Sequence, residues 1–406
     1  MDTGSIAWAI TATALVLLMT PGVAFFYGGL VKAKSVVSMM MMSFGALGLI
    51  SVLWILYGFS MSAVDAPTDF AGNPFADFGL GSLATGETSN TDLLGATFGA
   101  TFAIITVALI SGAIADRAKF GAWMIFAGIW ATLVYFPVAA WVWGGGWIME
   151  LGNTLGLPGV IDYAGGTAVH INAGAAALAL ALVLGKRVGF QKGITKPHNV
   201  PLVLLGAAIL WFGWFGFNAG AEWLNGLANV GLIVVNTLGA TAAAILGWMV
   251  VEKIKDGKAT AVGAASGAVA GLVAITPACA NLEPGWALLL GVLAGAVCAL
   301  AVELKFKLGF DDSLDVVGIH LVGGIIGTLY LGFFAIGTGL FTGGDLGQLA
   351  VQVIAAAAVL LYSFAVAFGL GFAIEKTIGF RVKNADEVAG IDTVVHGEEG
   401  YALSEL

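Results

Sequence analysis

The chain of 406 residues is 59% hydrophobic and only 10% charged, with a net charge of −9 and a mean hydropathy of +0.97. Because soluble domains carry about 25% charged residues, this composition excludes a soluble fold and predicts a membrane protein. No nucleic-acid partner is expected. Two cysteines, Cys279 and Cys298, indicate neither a disulfide framework nor a redox or metal site.

Apolar segments long enough to cross a bilayer recur along the whole chain. A helix of about 20 residues spans a hydrocarbon core of roughly 30 Å. Eleven such segments are predicted, which makes the fold an all-α polytopic membrane protein. They lie near residues 6–30, 36–62, 93–115, 120–142, 164–184, 200–219, 229–251, 260–278, 286–304, 315–337 and 349–374. The first is expected to be retained, since no basic region precedes it as in a cleaved signal peptide.

The charged residues predict the orientation of these spans. All 16 lysines and arginines follow odd-numbered spans, and the loops on the other side contain none. By the positive-inside rule, the N-terminus lies outside the cell inner membrane and the C-terminus in the cytoplasm. The charged residues on the outer side are all acidic, a pattern that weakly favours a cationic substrate. The membrane domain is predicted at 1–376 and a cytoplasmic tail at 377–406.

Spans 1–5 and 6–10 form two sets of five, and the second set is inverted relative to the first because five is odd. In span 5, DYAGGTAVH places His170 eight residues after Asp162, whereas in span 10, DVVGIH places His320 five residues after Asp315. The unequal spacing makes this internal similarity weak by itself. Span 11 remains outside the repeat as an additional C-terminal helix.

Two of the four histidines, His170 and His320, lie inside spans, whereas His198 lies in a cytoplasmic loop and His396 in the tail. His170 lies eight residues past Asp162, about 12 Å along a helix, and His320 lies eight residues past Asp312, a similar depth from the opposite side. An ionisable side chain near the bilayer midplane is costly and indicates a functional site. The alternative is two unrelated histidines that each bond to a neighbouring helix, which their matching depth disfavours.

Neither a metal site nor an enzyme is expected at these histidines. Zinc requires three or four ligands, and no third histidine, cysteine pair or deep carboxylate accompanies the pair in the sequence. The sequence also offers no nucleophile–base pair and no paired carboxylates at the midplane. We therefore expect no catalysis and no cofactor.

Asp162 and Trp143 each allow two interpretations. Asp162 stands where span 5 begins, and Asp is a favoured helix N-cap, although its charge could also face the outer mouth of a pathway. The cap carries more weight. Trp143, in VWGGG, belongs with Trp214 and Phe217 to a group of aromatic residues assigned to the outer side. Such residues commonly belt the membrane interface, but an indole in an acidic mouth could also hold a cation over its face.

Several motifs, in order along nearly the whole chain, resemble those of the ammonium transporter (Amt/Mep/Rh) family, and its Amt branch most of all. They are TPGVAFFYGGL (20–30), VWGGG (142–146), DYAGGTAVHINAG (162–174), GKRVG (185–189), KPHNVP (196–201), WFGFNAG (214–220), TPACA (276–280) and DVVGIHLVGGIIG (315–327). The similarity continues into the tail as IDTVVHGEEGYAL. It implies a homotrimer in the lipid bilayer with a separate narrow pore through each subunit, and ammonium or ammonia as the substrate.

The resemblance also assigns roles to individual residues. His170 and His320 match the twin pore histidines, whose imidazoles share a hydrogen bond. The other assigned residues are the carboxylate Asp162 at the outer end of span 5, the cation-binding Trp143, the stacked phenyl gate Phe102 and Phe217, and the pathway residues Trp214 and Phe26. In the family, an outer-site hydroxyl follows the second phenylalanine of the gate by four residues, and here that position is Ala221.

The resemblance implies uptake of ammonium that is recruited outside, deprotonated and passed as ammonia through a hydrophobic pore lined by two histidines. Two alternatives stay open. One is an ammonium sensor that binds the cation but barely conducts, which the missing hydroxyl at Ala221 leaves open. The other is an Rh-type gas channel, against which the VWGGG tryptophan and the tail argue. The resemblance also implies a trimeric PII-type regulator that binds the basic loops Lys186–Lys196 and Lys253–Lys258.

Overall fold

The computed structural model describes residues 2–85, 88–190 and 196–401, most of which lie in helices. Within these residues, ten helices are long and apolar enough to cross a membrane, and an eleventh apolar helix has only 15 residues. In chain order they are α1 (Thr3–Leu30), α2 (Ala33–Met61), α3 (Ser89–Ile114), α4 (Phe120–Trp143), α5 (Gly166–Leu184), α6 (Val200–Asn225), α7 (Val230–Asp256), α8 (Ala261–Ile275), α9 (Pro284–Leu308), α10 (Val317–Phe334) and α11 (Gly347–Thr377). The all-α architecture is confirmed, and each helix coincides with one predicted span.

Polar side chains set the points at which several helices begin. Asn199 accepts a hydrogen bond from the Leu202 N–H at 3.0 Å in front of α6. Thr260 accepts one from the Gly263 N–H at 2.8 Å in front of α8. Both are side chains that favour the N-cap position. Beyond the caps the backbone groups bond within each helix, as an apolar environment requires.

The two ends of the helix bundle differ in charge. The described lysines and arginines lie at the end where α1 finishes and α2 begins, which we call the basic end. The opposite, acidic end carries loops with Asp and Glu but no described basic residue. Lys192 and Glu87, which the sequence assigns to these two sides, lie outside the described residues. The charge pattern used to predict the orientation therefore corresponds to two separate ends of the bundle.

Glycines allow several pairs of helices to cross in close contact. Where α6 crosses α1, a side chain at Gly206 would come within 2.2 Å of the backbone nitrogen of Phe26. Where α5 crosses α10, a side chain at Gly174 would come within 2.6 Å of the backbone nitrogen of Leu321. Small residues permit such approach between membrane helices. As a result, α5 and α10, which carry the two buried histidines, lie in direct contact.

The first turns of α5 and α10 are both π-helical, over Gly166–Ile171 and Val317–Leu321. Short π-helical segments frequently occur at functional sites. One segment contains His170 and the other contains His320. The two inverted repeats therefore place the same irregular backbone around each histidine.

The aspartate that corresponds to Asp162 is Asp312, and the sequence comparison of Asp162 with Asp315 was wrong. Asp312 accepts a hydrogen bond from the Val317 N–H at 2.7 Å, at the start of α10. Asp315 instead pairs with the Lys305 ammonium at 2.6 Å. With Asp312 as the cap, the spacing from aspartate to histidine is the same in both repeats. The internal similarity is therefore stronger than the sequence indicated.

The chain after α11 lies against the basic end of the bundle. Phe380 and Val382 form backbone hydrogen bonds of 2.9 Å with the loop between α3 and α4. Asp392 accepts hydrogen bonds from the N–H groups of Val37 and Ser38 at 3.0 and 2.7 Å, at the start of α2. Residues 402–406 of the predicted tail lie outside the described residues. The described part of the tail is therefore tied to loops and helix ends from the first half of the chain.

Candidate functional site

A cavity of about 400 Å³ lies at the acidic end, among the ends of α2, α3, α4 and α6. We call it the vestibule. Most of its lining is aromatic or apolar. The lining includes Phe102, Trp143, Tyr163, Phe217 and Ala221. Three of them, Phe102, Trp143 and Phe217, have assigned roles from the sequence, and Ala221 occupies the position of the missing hydroxyl.

Trp143 lies inside the vestibule at the end of α4. Its indole Nε1 donates to the carbonyl oxygen of Asp162 at 2.8 Å, which fixes the orientation of the ring. The indole meets the Phe102 ring edge-on, with ring centroids 6.1 Å apart. An aromatic face in such a place attracts a cation by about 0.5–2 kcal/mol. The geometry therefore favours the cation-binding interpretation of Trp143 over a role in an interfacial belt.

Phe102 of α3 and Phe217 of α6 close the inner end of the vestibule. Their rings are stacked, with centroids 4.2 Å apart and an interplanar angle of 18°. The two residues are 6% and 1% exposed. Phe217 lines both the vestibule and the next cavity, so the stacked pair separates the two.

A narrow cavity of about 10 Å³ lies beyond the stacked rings, which is room for about one water-sized molecule. Its lining is apolar except for two imidazoles and the partnered polar groups of a tyrosine and a tryptophan. Phe26 and Trp214, which the sequence linked to a pathway, both line it. Trp214 stacks on His170 with ring centroids 5.5 Å apart, so it belongs to the wall of this cavity and not to an interfacial belt. We call this cavity the pore.

His170 and His320 meet in the wall of the pore. Their Nδ1 atoms lie 3.2 Å apart, and the two residues are 1% and 3% exposed. One ring must donate its Nδ1–H and the other must accept it, so the pair shares one hydrogen bond. The Nε2 atom of His170 has no hydrogen-bond partner among the described residues. The alternative of two unrelated histidines, each bonded to a neighbouring helix, does not match this geometry.

Asp162 is occupied as the cap of α5. Its carboxylate accepts hydrogen bonds from the N–H groups of Gly165, Thr167 and Ala168 at 3.0–3.1 Å, and also from the N–H of Gly166 and the hydroxyl of Thr167. These are the groups that a helix start leaves without partners. The residue as a whole is 7% exposed. The geometry therefore favours the cap interpretation, and it does not support a carboxylate that faces the vestibule.

Tyr163 and Glu222 form a hydrogen-bonded pair beside the vestibule, which the sequence interpretation missed. The Tyr163 hydroxyl donates to Glu222 Oε1 at 2.5 Å. Glu222 is fully buried, and its Oε2 accepts from the Asn229 N–H at 2.7 Å. Glu222 therefore does not face the vestibule directly. The signal in the sequence was an acidic residue directly after Ala221, but its direction depends on the irregular end of α6.

A family model described as Ammonium Transporter Family matches residues 7–401. The chain belongs to this family. An ammonium transporter of Mycobacterium tuberculosis (strain H37Rv) is 52% identical, over 98% of this chain and 90% of the relative. The solved structure of Saccharomyces cerevisiae Mep2 has a TM-score of 0.82 at 33% identity, over 95% of this chain and 91% of Mep2. A solved Sensor Amt Protein has a TM-score of 0.88 at 27% identity, over 97% and 98%.

At the basic end of this ammonium transporter family member, a cavity of about 250 Å³ opens between the loops. The Arg187 guanidinium in its wall forms ion pairs of 2.9 Å with both Asp116 and Asp311. Burial disfavours ionised Asp311, but its hydrogen bonds and ion pair with Arg187 hold the pKa of that carboxyl below its usual range. A fixed, ionised network therefore surrounds this opening.

Asp312 lies in the next position but has the opposite environment. Burial raises the pKa of this carboxyl to about 6, although the Lys305 ammonium opposes the shift. The neighbouring Asp315 charge adds to the shift. The described residues contain no group of three or more side chains arranged to bind a metal ion. The titratable groups of this end are therefore arranged as ion pairs and helix caps.

Proposed function

We propose that this chain carries ammonium across the cytoplasmic membrane, taking the cation from the vestibule and passing ammonia along the pore past His170 and His320. By family it is a transporter and not an enzyme. The observation that carries the proposed route is the order of its parts. The vestibule with Trp143 comes first, the stacked Phe102 and Phe217 follow, and the shared hydrogen bond of the two histidines lies beyond them.

The energy of the barrier favours ammonia over ammonium inside the pore. An amine with a pKa near 10 costs roughly 4 kcal/mol to deprotonate at pH 7, at about 1.36 kcal/mol per pKa unit. A bare unit charge at the bilayer centre costs between about 3 and 17 kcal/mol. Over most of that range, losing the proton is easier than carrying it. The apolar lining of the pore offers a charged guest little compensation.

The histidine pair fits a small neutral guest that both donates and accepts hydrogen bonds. Each neutral imidazole carries one donor and one acceptor nitrogen. The pair uses two Nδ1 atoms on each other, which leaves the Nε2 atom of each ring for a guest. A water-sized space beside the rings suits one ammonia molecule at a time. We assign His170 and His320 to guiding ammonia past the middle of the pore.

A sensor is the second candidate, because the Sensor Amt Protein shares the fold closely. The identity to that protein is 27%, against 52% to the ammonium transporter of Mycobacterium tuberculosis. A sensor that barely conducts needs a vestibule that binds the cation but no working pore. The pore and its histidine pair favour transport.

The proposal includes the assembly and orientation expected from the family resemblance. We propose a homotrimer in the inner membrane with the acidic end outside and the basic end in the cytoplasm. The domain division at residue 376 fits the end of α11 at Thr377. A PII-type regulator would bind the basic end, where Lys186 and Lys253–Lys258 are exposed. The ionised network around Arg187 would line the opening that such a regulator covers.

Purified protein in liposomes tests the proposed function. Ammonium pulses are applied on a supported membrane, and the internal pH is followed in parallel with a dye, so that charged and neutral transport are both detected. We expect an ammonium response that protein-free liposomes and equal potassium pulses do not give. A protein that binds ammonium but changes neither current nor internal pH would establish the sensor instead.

A further inference from the structure

The vestibule of this chain has no hydroxyl where the family pattern places one. Ala221 lines the vestibule at that position, and a methyl group accepts no hydrogen bond. The indole of Trp143 offers a cation only an aromatic face. Ammonium that leaves water loses hydrogen bonds from its N–H groups, and a desolvated donor without an acceptor is costly. The outer site therefore needs an acceptor from elsewhere in the wall.

Tyr163 is one of the residues that line the same vestibule. Its hydroxyl donates to the carboxyl group of Glu222 at 2.5 Å. Glu222 directly follows Ala221, so the phenol is bonded to the segment that lacks the hydroxyl. The other carboxylate oxygen is fixed by the Asn229 N–H at 2.7 Å. The pair is therefore held in one arrangement.

The direction of this hydrogen bond leaves the phenol oxygen as an acceptor. A hydroxyl has one proton and two lone pairs, and here the proton points to Glu222. A carboxylate on the proton side polarises the phenol and makes its oxygen a better acceptor. Burial and the hydrogen bond to Glu222 raise the pKa of Tyr163, so the residue stays a neutral phenol. The hydrogen bond to the buried Glu222 thus fixes the proton of Tyr163 and leaves the phenol oxygen free to accept.

We propose that the Tyr163 hydroxyl, oriented by Glu222, accepts a hydrogen bond from ammonium and completes the outer site that Ala221 leaves open. Tyr163 is a binding residue, and Glu222 is a positioning residue that acts through it. The inference rests on the proposed function, because it assigns a further residue to the same cation site. The acceptor would then lie on the loop before α5, at Tyr163, instead of at the end of α6, where Ala221 stands.

Two other hydroxyls line the vestibule and are weaker candidates. Ser62 donates to the neutral carbonyl of Phe59 at 2.7 Å. Tyr135 is 1% exposed. Neither forms a hydrogen bond with a carboxylate within the described part of the chain. Of these three hydroxyls in the described part of the chain, only that of Tyr163 donates its proton to a buried carboxyl group.

Tyr163→Phe is the direct test, because it removes one oxygen and keeps the ring. We expect the ammonium concentration at half-maximal response to rise about three- to tenfold, with water replacing part of the lost bond. The maximal response should stay near that of the native protein, since the pore is unchanged. Tyr330→Phe is the matched control, because the Tyr330 hydroxyl bonds to the Trp286 carbonyl at 3.0 Å and does not line the vestibule.

The native response to ammonium is measured first and tests the proposed function by itself. If the native protein responds, the ammonium concentrations at half-maximal response of Tyr163→Phe and Tyr330→Phe are compared. Equal concentrations overturn the inference about Tyr163, whereas the proposed transport function still stands. Glu222→Gln keeps the side-chain size and the bond to Asn229, and it should raise half-saturation in the same direction. If Tyr163→Phe does not give folded protein, Glu222→Gln decides, and an unchanged half-saturation in that variant overturns the inference.

Discussion

His170 and His320 face each other through the same atom, with the two Nδ1 nitrogens 3.2 Å apart. A hydrogen bond between identical atoms requires one donor and one acceptor, so the two rings hold opposite tautomers. The helices that carry them are related by the inverted repeat, but the proton between them breaks that symmetry. One ring therefore presents an Nε2–H to the pore and the other presents a bare Nε2.

The first prediction concerns this pair. His170→Ala or His320→Ala removes one partner and leaves the other Nδ1 buried without a bond, which costs about 1–3 kcal/mol. We expect the ammonium transport rate to fall about tenfold or more, or the selectivity against potassium to be lost. His396→Ala is the control, since that ring lies against Phe120 at the basic end. If His170→Ala and His320→Ala both transport ammonium like the control and keep the native selectivity, the two histidines do not act as a pair.

The second prediction distinguishes the two interpretations of Asp162, as the cap of α5 or as a charge that acts in the vestibule. Asp162→Ala leaves four N–H groups at the start of α5 without their acceptor. Each such buried group costs about 1–3 kcal/mol, against a typical total stability of about 5–15 kcal/mol. We expect little folded protein, whereas Asp162→Asn, which keeps one acceptor oxygen, should give folded protein that melts earlier. Yield and thermal melting measure this, with the exposed Asp69→Asn as the control.

A native melting temperature in Asp162→Asn, together with a weaker ammonium affinity, would instead support the interpretation that its charge acts in the vestibule. The two interpretations differ because a cap acts on folding, whereas a mouth charge acts on the concentration of cations near the entrance. The measured quantity that changes therefore identifies the role.

The sequence predicted the helices well because each one coincides with a long run of apolar residues. A run of apolar residues must form a helix in a bilayer, and the lysines and arginines mark one end of the bundle. The pairing of His170 with His320 was also predicted, from depth and resemblance. What the sequence could not show is which aspartate caps α10, because Asp312 and Asp315 are both close to the helix start and only the backbone path distinguishes them.

The direction of side chains near irregular backbone was equally beyond the sequence. Residues Gly220–Asn225 form a 3₁₀ helix, in which side chains do not follow the α-helical spacing. Glu222 therefore turns away from the vestibule and toward Tyr163. Trp214 lies in the regular part of α6, yet its contact with His170 depends on how closely the helices pack. Such contacts are long-range, and local patterns do not encode them.

The third prediction uses the raised pKa of Asp312. Burial raises this pKa to about 6 from an ordinary value of 3.8, so the folded state binds the proton more tightly than the unfolded state. Ionisation at higher pH therefore costs stability, roughly 3 kcal/mol above pH 7, and the loss is recovered as the pH falls toward 4. Asp312→Asn should melt later than the native protein at pH 7.5, and the difference should shrink at pH 5.

Thermal melting of both proteins at the two pH values checks this sign. Lys305 and Asp315 face Asp312 and are present in both proteins, so their own effects cancel in the difference. A difference between the two proteins that does not change with pH would contradict the prediction.

The fourth prediction concerns the regulator at the basic end. A PII-type protein that covers the opening must contact exposed basic side chains there, and charge pairs across an interface govern association. Reversing the charge in Lys186→Glu together with Lys258→Glu should weaken its recovery in pull-downs from native cells under nitrogen excess. Asp69→Asn at the acidic end is the control. No recovery of such a protein by the unmodified chain would count against the partner itself.

The last prediction tests the substitution at position 221 together with the proposed acceptor. Ala221→Ser supplies a hydroxyl where the vestibule has none, and a hydrogen bond to a charged group is worth about 1.5–3 kcal/mol before water competes for it. In the native protein Tyr163 already serves the cation, so we expect the apparent ammonium affinity to rise only modestly. In the Tyr163→Phe background the same serine should lower half-saturation by a larger factor, about three- to tenfold. Such coupling is expected only of residues that serve one site. Ammonium titrations of the four proteins measure it, with Trp143 retained throughout. Equal effects of the serine in both backgrounds would mean that Tyr163 and position 221 act independently, and that Tyr163 does not replace the missing hydroxyl.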